Sequence, residues 1–243
     1  MVKIILADWA QYGVTCKMKQ GYWHESGLYK LLSKMSQYKT NIPFDIIIVI
    51  NDAKLIGEYD YLKSIFPMIK DIRYRKTNRG MDFGAYNHGY QLLKKEAGYV
   101  MLLNSTVRGP NKDHWLEKYI NLMNKSTDIG LCGIALCTHS IHNKYPKFRP
   151  HIRGLCLFST VKILNHVFHK NLPGVQATNK KSVISHGEIK FSTEILNKGY
   201  RIIDIKKNSY QLGDSKNRLS KLLPGVGKIN SGRKQYIESQ DIL

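Results

Sequence analysis

Residues 78–110, NRGMDFGAYNHGYQLLKKEAGYVMLLNSTVRGP, run from a glycine turn through a helix into an apolar strand that ends in a cluster of polar side chains. The turn at Asn78, Arg79 and Gly80 breaks the chain after the strand-like stretch 71–75, because glycine adopts backbone conformations that a side chain forbids. A helix follows, starting near Phe83. Residues 99–103, YVMLL, form an uninterrupted apolar run, as expected when helices cover both faces of a parallel sheet. The carboxyl end of that strand delivers Asn104, Ser105 and Thr106, with Arg108 just beyond. In open α/β sheets ligands occupy the crevice outside the carboxyl ends of the strands, so this order of elements builds a ligand site.

The same alternation extends in both directions. Residues 2–6 and 46–50 read as buried strands rich in β-branched side chains, with a helix at 25–38 between them. A helix at 54–65, a strand at 72–75, a helix at 84–95 and the strand at 99–103 follow. Beyond them come a helix at 115–123, a strand pattern at 129–136, a loop rich in His, Lys and Pro at 137–150, and a strand pattern at 153–159. Alternation of this kind predicts a single doubly wound α/β domain, a mostly parallel sheet flanked by helices with right-handed crossovers. The loop at 137–150 exceeds the usual connections of compact domains, which suits a lid or a loop shaping an acceptor site.

Residues 78–86, NRGMDFGAY, and 103–110, LNSTVRGP, resemble segments of family-2 glycosyltransferases of the GT-A fold, and look nearest to the rhamnan-synthesis branch. A second region, residues 185–202, SHGEIKFSTEILNKGYRI, resembles the late acidic segment that precedes the helix and Gly-Tyr-Arg-Ile strand of such enzymes. The resemblance covers residues 1–205, and the order of its segments is more telling than any one motif. It implies a GT-A-like, Rossmann-like domain over 1–205 and a basic tail over 206–243, peripheral to it or partly disordered. It also implies transfer of a hexosyl or deoxyhexosyl unit from a nucleotide-sugar donor, a UDP- or dTDP-sugar, to a glycan or glycolipid acceptor with inversion.

Inverting transfer needs neutralisation of the leaving diphosphate and a base that takes the acceptor hydroxyl proton. By resemblance Glu188 is that base; the plainer alternative is an acid near a helix start that favours the positive helix end. Asp52, after the strand at 46–50, matches the acid that binds the nucleoside, and could equally serve as a turn and helix cap. Arg79 and Asp82 flank Gly80 where the family contacts the nucleotide. Asn104 to Thr106 stand where many GT-A enzymes carry Asp-x-Asp, and neither end is a carboxylate. Mg²⁺ and Mn²⁺ favour anionic oxygen ligands, so a divalent ion would bind weakly here, and Arg108 becomes the leading cation for the diphosphate. His151, Arg153 and His186 are further candidates that the pattern leaves unranked.

Composition bounds the alternatives. The chain has 243 residues, a hydrophobic content of 42% and a formal charge of +20, which suits anionic partners such as a nucleotide, a membrane surface or a nucleic acid. No run approaches the roughly 20 apolar residues that cross a bilayer, and residues 1–7 are too short for a signal segment, so a cytoplasmic protein is expected. In the tail, Leu219, Leu222, Leu223 and Val226 interleave with lysines and arginine, which would suit peripheral contact with an anionic membrane until Pro224 and Gly225 end the helix. Cys16, Cys132, Cys137 and Cys156 read as free thiols, and Cys132 and Cys137 with His139 and His142 depart from zinc spacing. A noncatalytic nucleotide- or glycan-binding module of the same fold is the alternative that the missing carboxylates suggest. A nucleic-acid-binding protein is a third reading, resting on charge and 15 tyrosines but lacking any recognisable motif. The spacing of Gly80 and Gly84 does not give the dinucleotide-binding pattern of a dehydrogenase.

Overall fold

Strand β1 (Val2–Trp9) sends alternate side chains to opposite faces of a sheet, Ile4 and Leu6 to one core and Ile5 and Ala7 to the other. All four are buried, which is why the strand reads as continuously apolar. The computed structural model describes residues 1–14, 17–19, 22–24, 27–138, 149–206 and 208–212. Outside them lie Cys16, the start expected for the first helix at Glu25, His139, His142 and most of the 137–150 loop, and the tail from 213 onward with its Leu-Lys pattern.

After β1 come a short backbone ladder of β2 (Lys17–Lys19) with β3 (Tyr22–His24), then α1 (Leu28–Gln37) and β4 (Phe44–Asn51). Next are α2 (Leu62–Ile65), β5 (Ile69–Arg75), α3 (Met81–Leu93) and β6 (Tyr99–Asn104). The second half holds α4 (Trp115–Met123), β7 (Ile129–Gly133), β8 (Leu136–Cys137), β9 (His151–Ile152), β10 (Cys156–Thr160) and α5 (Val161–Val167). A continuous helical stretch follows, α6 (Lys180–Val183), a π-helical segment (Ile184–Ile189) and α7 (Lys190–Asn197), before β11 (Arg201–Asp204) and β12 (Ser209–Tyr210). The main sheet has eight strands in the order β12-β11-β7-β10-β6-β1-β4-β5. β5, β4, β1 and β6 are mutually parallel, β10 is antiparallel to β6 and β7, β11 is parallel to β7, and β12 is antiparallel to β11. This is the mostly parallel α/β sheet expected from the strand pattern.

Helices α1, α2 and α4 pack on one face of the sheet and α3, α5 and α7 on the other. Each core leucine or isoleucine removed from water contributes about 1.5–3 kcal/mol, so the two layers hold the sheet edge that carries the site.

Local boundaries differ where backbone groups find partners outside the expected element. The helix expected at 54–65 is mostly turn, with helix only in α2. Gly57 has φ 90°, and the Tyr74 hydroxyl accepts from Tyr59 N at 3.0 Å and donates to Asp60 Oδ1 at 2.8 Å, locking residues 57–60 into a turn. The strand expected at 129–136 stops at Gly133, because Asp204 Oδ2 accepts from Leu136 N at 3.2 Å and Arg153 N donates to Ala135 O at 3.1 Å. The strand expected at 153–159 starts later, as β10 at Cys156, because Arg153 N is taken by Ala135 O; the short β9, paired with β8, precedes the expected range. α3 begins at Met81, earlier than expected, because Gly80 adopts φ 80° and Asn78 O caps Met81 N at 2.8 Å.

Candidate active site

Four parallel strands end side by side, and each leaves a polar residue at the carboxyl edge: Asp8 on β1, Asn51 on β4, Arg75 on β5 and Asn104 on β6. The chain order reverses at β1, which lies between β4 and β6, so a crevice opens where β1 and β6 end. There the Ser105 hydroxyl donates to Asp8 Oδ1, and both residues are buried. Asp8 was missed by the sequence reading, although the rule that selected Asp52, an acid at the carboxyl end of an apolar strand, selects it equally well. Asn104 Oδ1 accepts from Thr106 N at 2.7 Å, which folds the chain back over the strand end. Thr106 Oγ1 and Arg108 Nε are buried with no hydrogen-bond partner among the described residues. Both can donate, so an acceptor-rich ligand would satisfy both.

Asp52 has φ 58°, a left-handed conformation uncommon outside glycine but tolerated by Asp. Its Oδ2 accepts from Trp9 Nε1 at 3.2 Å and from Gln11 Nε2 at 2.6 Å, so the acid is fastened to the end of β1. It caps no helix, since the chain turns until Leu62.

The Gly80 turn is held from three sides. Asn51 Oδ1 accepts from Arg75 Nη1, Arg75 Nη2 donates to Arg79 O at 2.7 Å, and Asn51 Nδ2 donates to Met81 O at 3.0 Å. Gly80 N donates to Ala177 O at 2.7 Å, joining the turn to the segment before α6. Burial lowers the pKa of Arg75. A Cβ on Gly84 would lie 2.6 Å from the Arg75 guanidinium, so glycine is what lets this clamp close on α3. The Arg79 side chain is exposed, and Asp82 lies in the first turn of α3, where the helix end favours an acid.

Glu188 sits within the π-helical turn, far from the start of its helix at the Asn179 cap, so the helix-start alternative falls away. π-helical turns interrupt the regular ladder and are frequent at functional sites. Glu188 Oε2 lies 3.8 Å from His151 Nε2 on β9, and His151 is itself buried. Burial raises the Glu188 pKa; His151 and Arg153 draw it back, Asp82 adds to the rise, and a Gly154 backbone hydrogen bond lowers it. The structure therefore brings Glu188, His151, Arg153 and Asp82 within electrostatic reach of one another. Phe83 is the wedge between them. A Cβ on Gly154, Gly174 or Gly187 would lie 2.8, 3.0 or 2.7 Å from Phe83 atoms, so three glycines from three segments close around this ring. His186, two residues from Glu188, faces the opposite side of the helix and lines a separate groove.

The donor set at these strand ends holds one carboxylate, that of Asp8, beside amide and hydroxyl oxygens. The strand end offers an amide oxygen already accepting from Thr106 N, the Ser105 hydroxyl is committed to Asp8, and among the described residues no three His, Cys, Asp or Glu converge as metal ligands. Cys132, Cys137 and Cys156 are free, and burial raises the pKa of each, which keeps them as thiols. No helix among the described residues is long and apolar enough to cross a membrane.

This sheet order, with a polar strand-end cluster and an acid presented from a helix, is the GT-A fold of glycosyltransferases. The chain belongs to the rhamnan synthesis protein F family, whose model matches residues 46–220. Among solved structures it resembles the mannosyltransferase PcManGT from Pyrobaculum calidifontis, in complex with GDP-Man and Mn²⁺, at 12% identity and a TM-score of 0.53 over 84% of this chain. It also resembles S. aureus TarS, at 11% identity and a TM-score of 0.51 over 86% of this chain. The chain spans 54% of the first protein's length and 36% of the second's. No curated protein sequence matches the chain.

Proposed function

We propose that this protein transfers a hexosyl or deoxyhexosyl unit from a nucleotide sugar to a glycan or glycolipid acceptor, with inversion and without a divalent ion, Glu188 acting as base. The observation that carries this reading is the half-buried Glu188 carboxylate, beside His151 and next to the Asp82 turn, at the edge where Thr106 and Arg108 present unpaired donors. As the acceptor oxygen bonds to the anomeric carbon, its proton passes to Glu188. The bond from that carbon to the donor phosphate breaks, and the nucleoside diphosphate leaves with the electron pair. Arg108 and the Thr106 hydroxyl supply hydrogen bonds to the diphosphate as its charge grows, the role a metal fills elsewhere. Asp52 and Arg79 hold the nucleoside, and Asp82 orients the donor from the turn.

PcManGT is solved with GDP-Man and Mn²⁺, which supports a nucleotide-sugar donor here. UDP and dTDP are the carrier nucleotides we favour, from the resemblance of the turn and strand-end segments. We assign the transferase domain to residues 1–212, because β12 (Ser209–Tyr210) pairs with β11 in its sheet beyond the boundary expected at 205, and to the basic stretch after it a role in peripheral contact with anionic membranes.

The test is release of nucleoside diphosphate from a panel of UDP-, dTDP- and GDP-sugars, with Mn²⁺ or with EDTA, on the wild type and on Glu188→Gln. Release that survives EDTA and collapses in Glu188→Gln supports the proposal. Abolition by EDTA would overturn the metal-independent part, and absence of any nucleotide stabilisation would overturn the donor assignment.

A further inference from the structure

Ser182, His186, Lys190 and Glu194 recur every four residues along α6, the π-helical turn and α7, and together form one wall of a groove of about 740 Å³. That volume lies in the range of sites that bury small ligands. The opposite wall is the segment 167–178, which supplies an apolar floor from Phe168, Leu172, Pro173 and Ala177 and a polar rim from Lys170, Gln176 and Thr178. The rim is predominantly basic: Lys170 and Lys190 stand against the single acid Glu194, with His169 and His186 as further donors.

One end of the groove abuts the backbone of the catalytic edge, and the groove leads away from there. At one end Ala177 O accepts from Gly80 N at 2.7 Å, and a Cβ on Gly174 would lie 2.7 Å from Gly187 Cα, the residue before Glu188. At the other end Lys94 Nζ donates to His169 O at 3.1 Å and Gln91 Nε2 to Lys170 O at 2.8 Å, beside the far end of α3. A 13-residue α3 makes that path about 20 Å long, several sugar rings rather than one.

We propose that this groove holds an extended acceptor glycan bearing anionic groups, phosphodiester or carboxylate, whose growing end leaves the groove on the side of the Gly80 turn and passes round the helix toward Glu188. Apolar floor atoms meet the C–H faces of sugar rings, the amide and hydroxyl rim meets their hydroxyls, and Lys170 and Lys190 meet the anions. The inference rests on the transferase reading for its meaning, and it identifies the acceptor class. It differs from the donor site in using the reverse face of the helix that carries Glu188.

The experiment titrates the full chain with a hyaluronan hexasaccharide, phosphopentamannose and neutral maltohexaose at physiological salt, following binding by calorimetry. The double exchange Lys170→Glu/Lys190→Glu is compared with a control of equal charge change on exposed lysines of α2 and α4, Lys63→Glu/Lys118→Glu. We expect at least one acidic oligosaccharide to bind, the groove pair to weaken it about ten-fold or more, and the control pair to change it less than about two-fold. The hyaluronan and phosphopentamannose arms separate carboxylate from phosphate. His186→Ala is a milder second variant, expected to weaken the same probe measurably should the double exchange fail to fold. Equal weakening by both lysine pairs, no binding of either acidic probe, or equal binding of maltohexaose overturns the proposal. Thermal stabilisation by UDP and dTDP is read in every variant; its absence in the wild type counts against the donor reading, and its retention with lost oligosaccharide binding supports the groove.

Discussion

Glu188 Oε2 and His151 Nε2 lie 3.8 Å apart although 37 residues separate them in sequence, because β9 crosses the open side of the π-helical turn. Burial pushes the two groups in opposite directions, raising the Glu188 pKa and lowering that of His151, and each partly offsets the shift of the other. A carboxylate held this way is more basic than one in water, which suits proton abstraction from a sugar hydroxyl.

The rate of sugar transfer is expected to fall as pH drops through an acid limb lying above the ordinary glutamate value of about 4.3. Arg153 favours the ionised form of Glu188, so Arg153→Gln should move that limb to higher pH. Glu188→Gln should remove it and lower kcat by about 10²- to 10⁴-fold. Donor turnover measured against pH decides this, and a limb that stays put in Arg153→Gln contradicts the assignment.

Arg108→Ala removes a guanidinium whose Nε is buried without a partner among the described residues. Loss of a charge-assisted hydrogen bond costs about 1.5–3 kcal/mol, so nucleoside diphosphate affinity should drop about ten- to a hundred-fold with little change in melting temperature. Calorimetric titration with UDP and dTDP reads the loss; unchanged affinity for both would remove Arg108 from the site.

Gly154→Ala should both destabilise the protein and impair turnover. Its new Cβ would meet the Phe83 ring at 2.8 Å and Glu188 Cγ at 3.0 Å, and an overpacked contact of this type costs about 1–3 kcal/mol. A lower urea midpoint together with a reduced kcat is the expected pair of outcomes, and a neutral substitution would show that this wedge has room.

Glu117 links α4 to the segment before β4. Burial pushes its carboxyl up, but the Asn41 amide, His114 and the Thr40 hydroxyl outweigh that and hold its pKa at about 2. A depressed folded pKa means stability that is present above the unfolded value of about 4.3 and is lost as pH falls toward 2. Because the group is partly solvated, the contribution is about 1 kcal/mol rather than the full linkage value. Glu117→Gln should lower the melting temperature at pH 7 and leave it nearly unchanged at pH 2.

Much of the architecture was legible in residue order. Apolar runs at 2–6, 46–50 and 99–103 mark strands buried on both faces, since a parallel sheet covered by two helical layers leaves no polar side to alternate with. The Gly80 turn was legible because a left-handed backbone and a close approach exclude a side chain, and Asn104 to Arg108 because strand ends in such sheets face the crevice. Resemblance of the late segment put Glu188 forward as the base, a role the kinetic predictions above test. The segments at 54–65 and 129–136 were misread because their backbone groups are taken by the Tyr74 hydroxyl and the Asp204 carboxylate, partners distant in sequence.

Sequence by itself thus determined the layer order, the two apolar faces and the family, all of which depend on local periodicity and on short ordered motifs. Tertiary structure alone decided which polar groups meet. Asp8 is joined to Ser105 across 97 residues, Arg75 reaches both Asn51 and Arg79, and Gly154, Gly174 and Gly187 converge on Phe83. His151 rather than His186 faces Glu188, because one lies on a strand crossing the turn and the other on the reverse face of the helix. Hydrogen bonds and packing depend on distances of a few ångström, and only the folded backbone sets these between residues far apart in the chain.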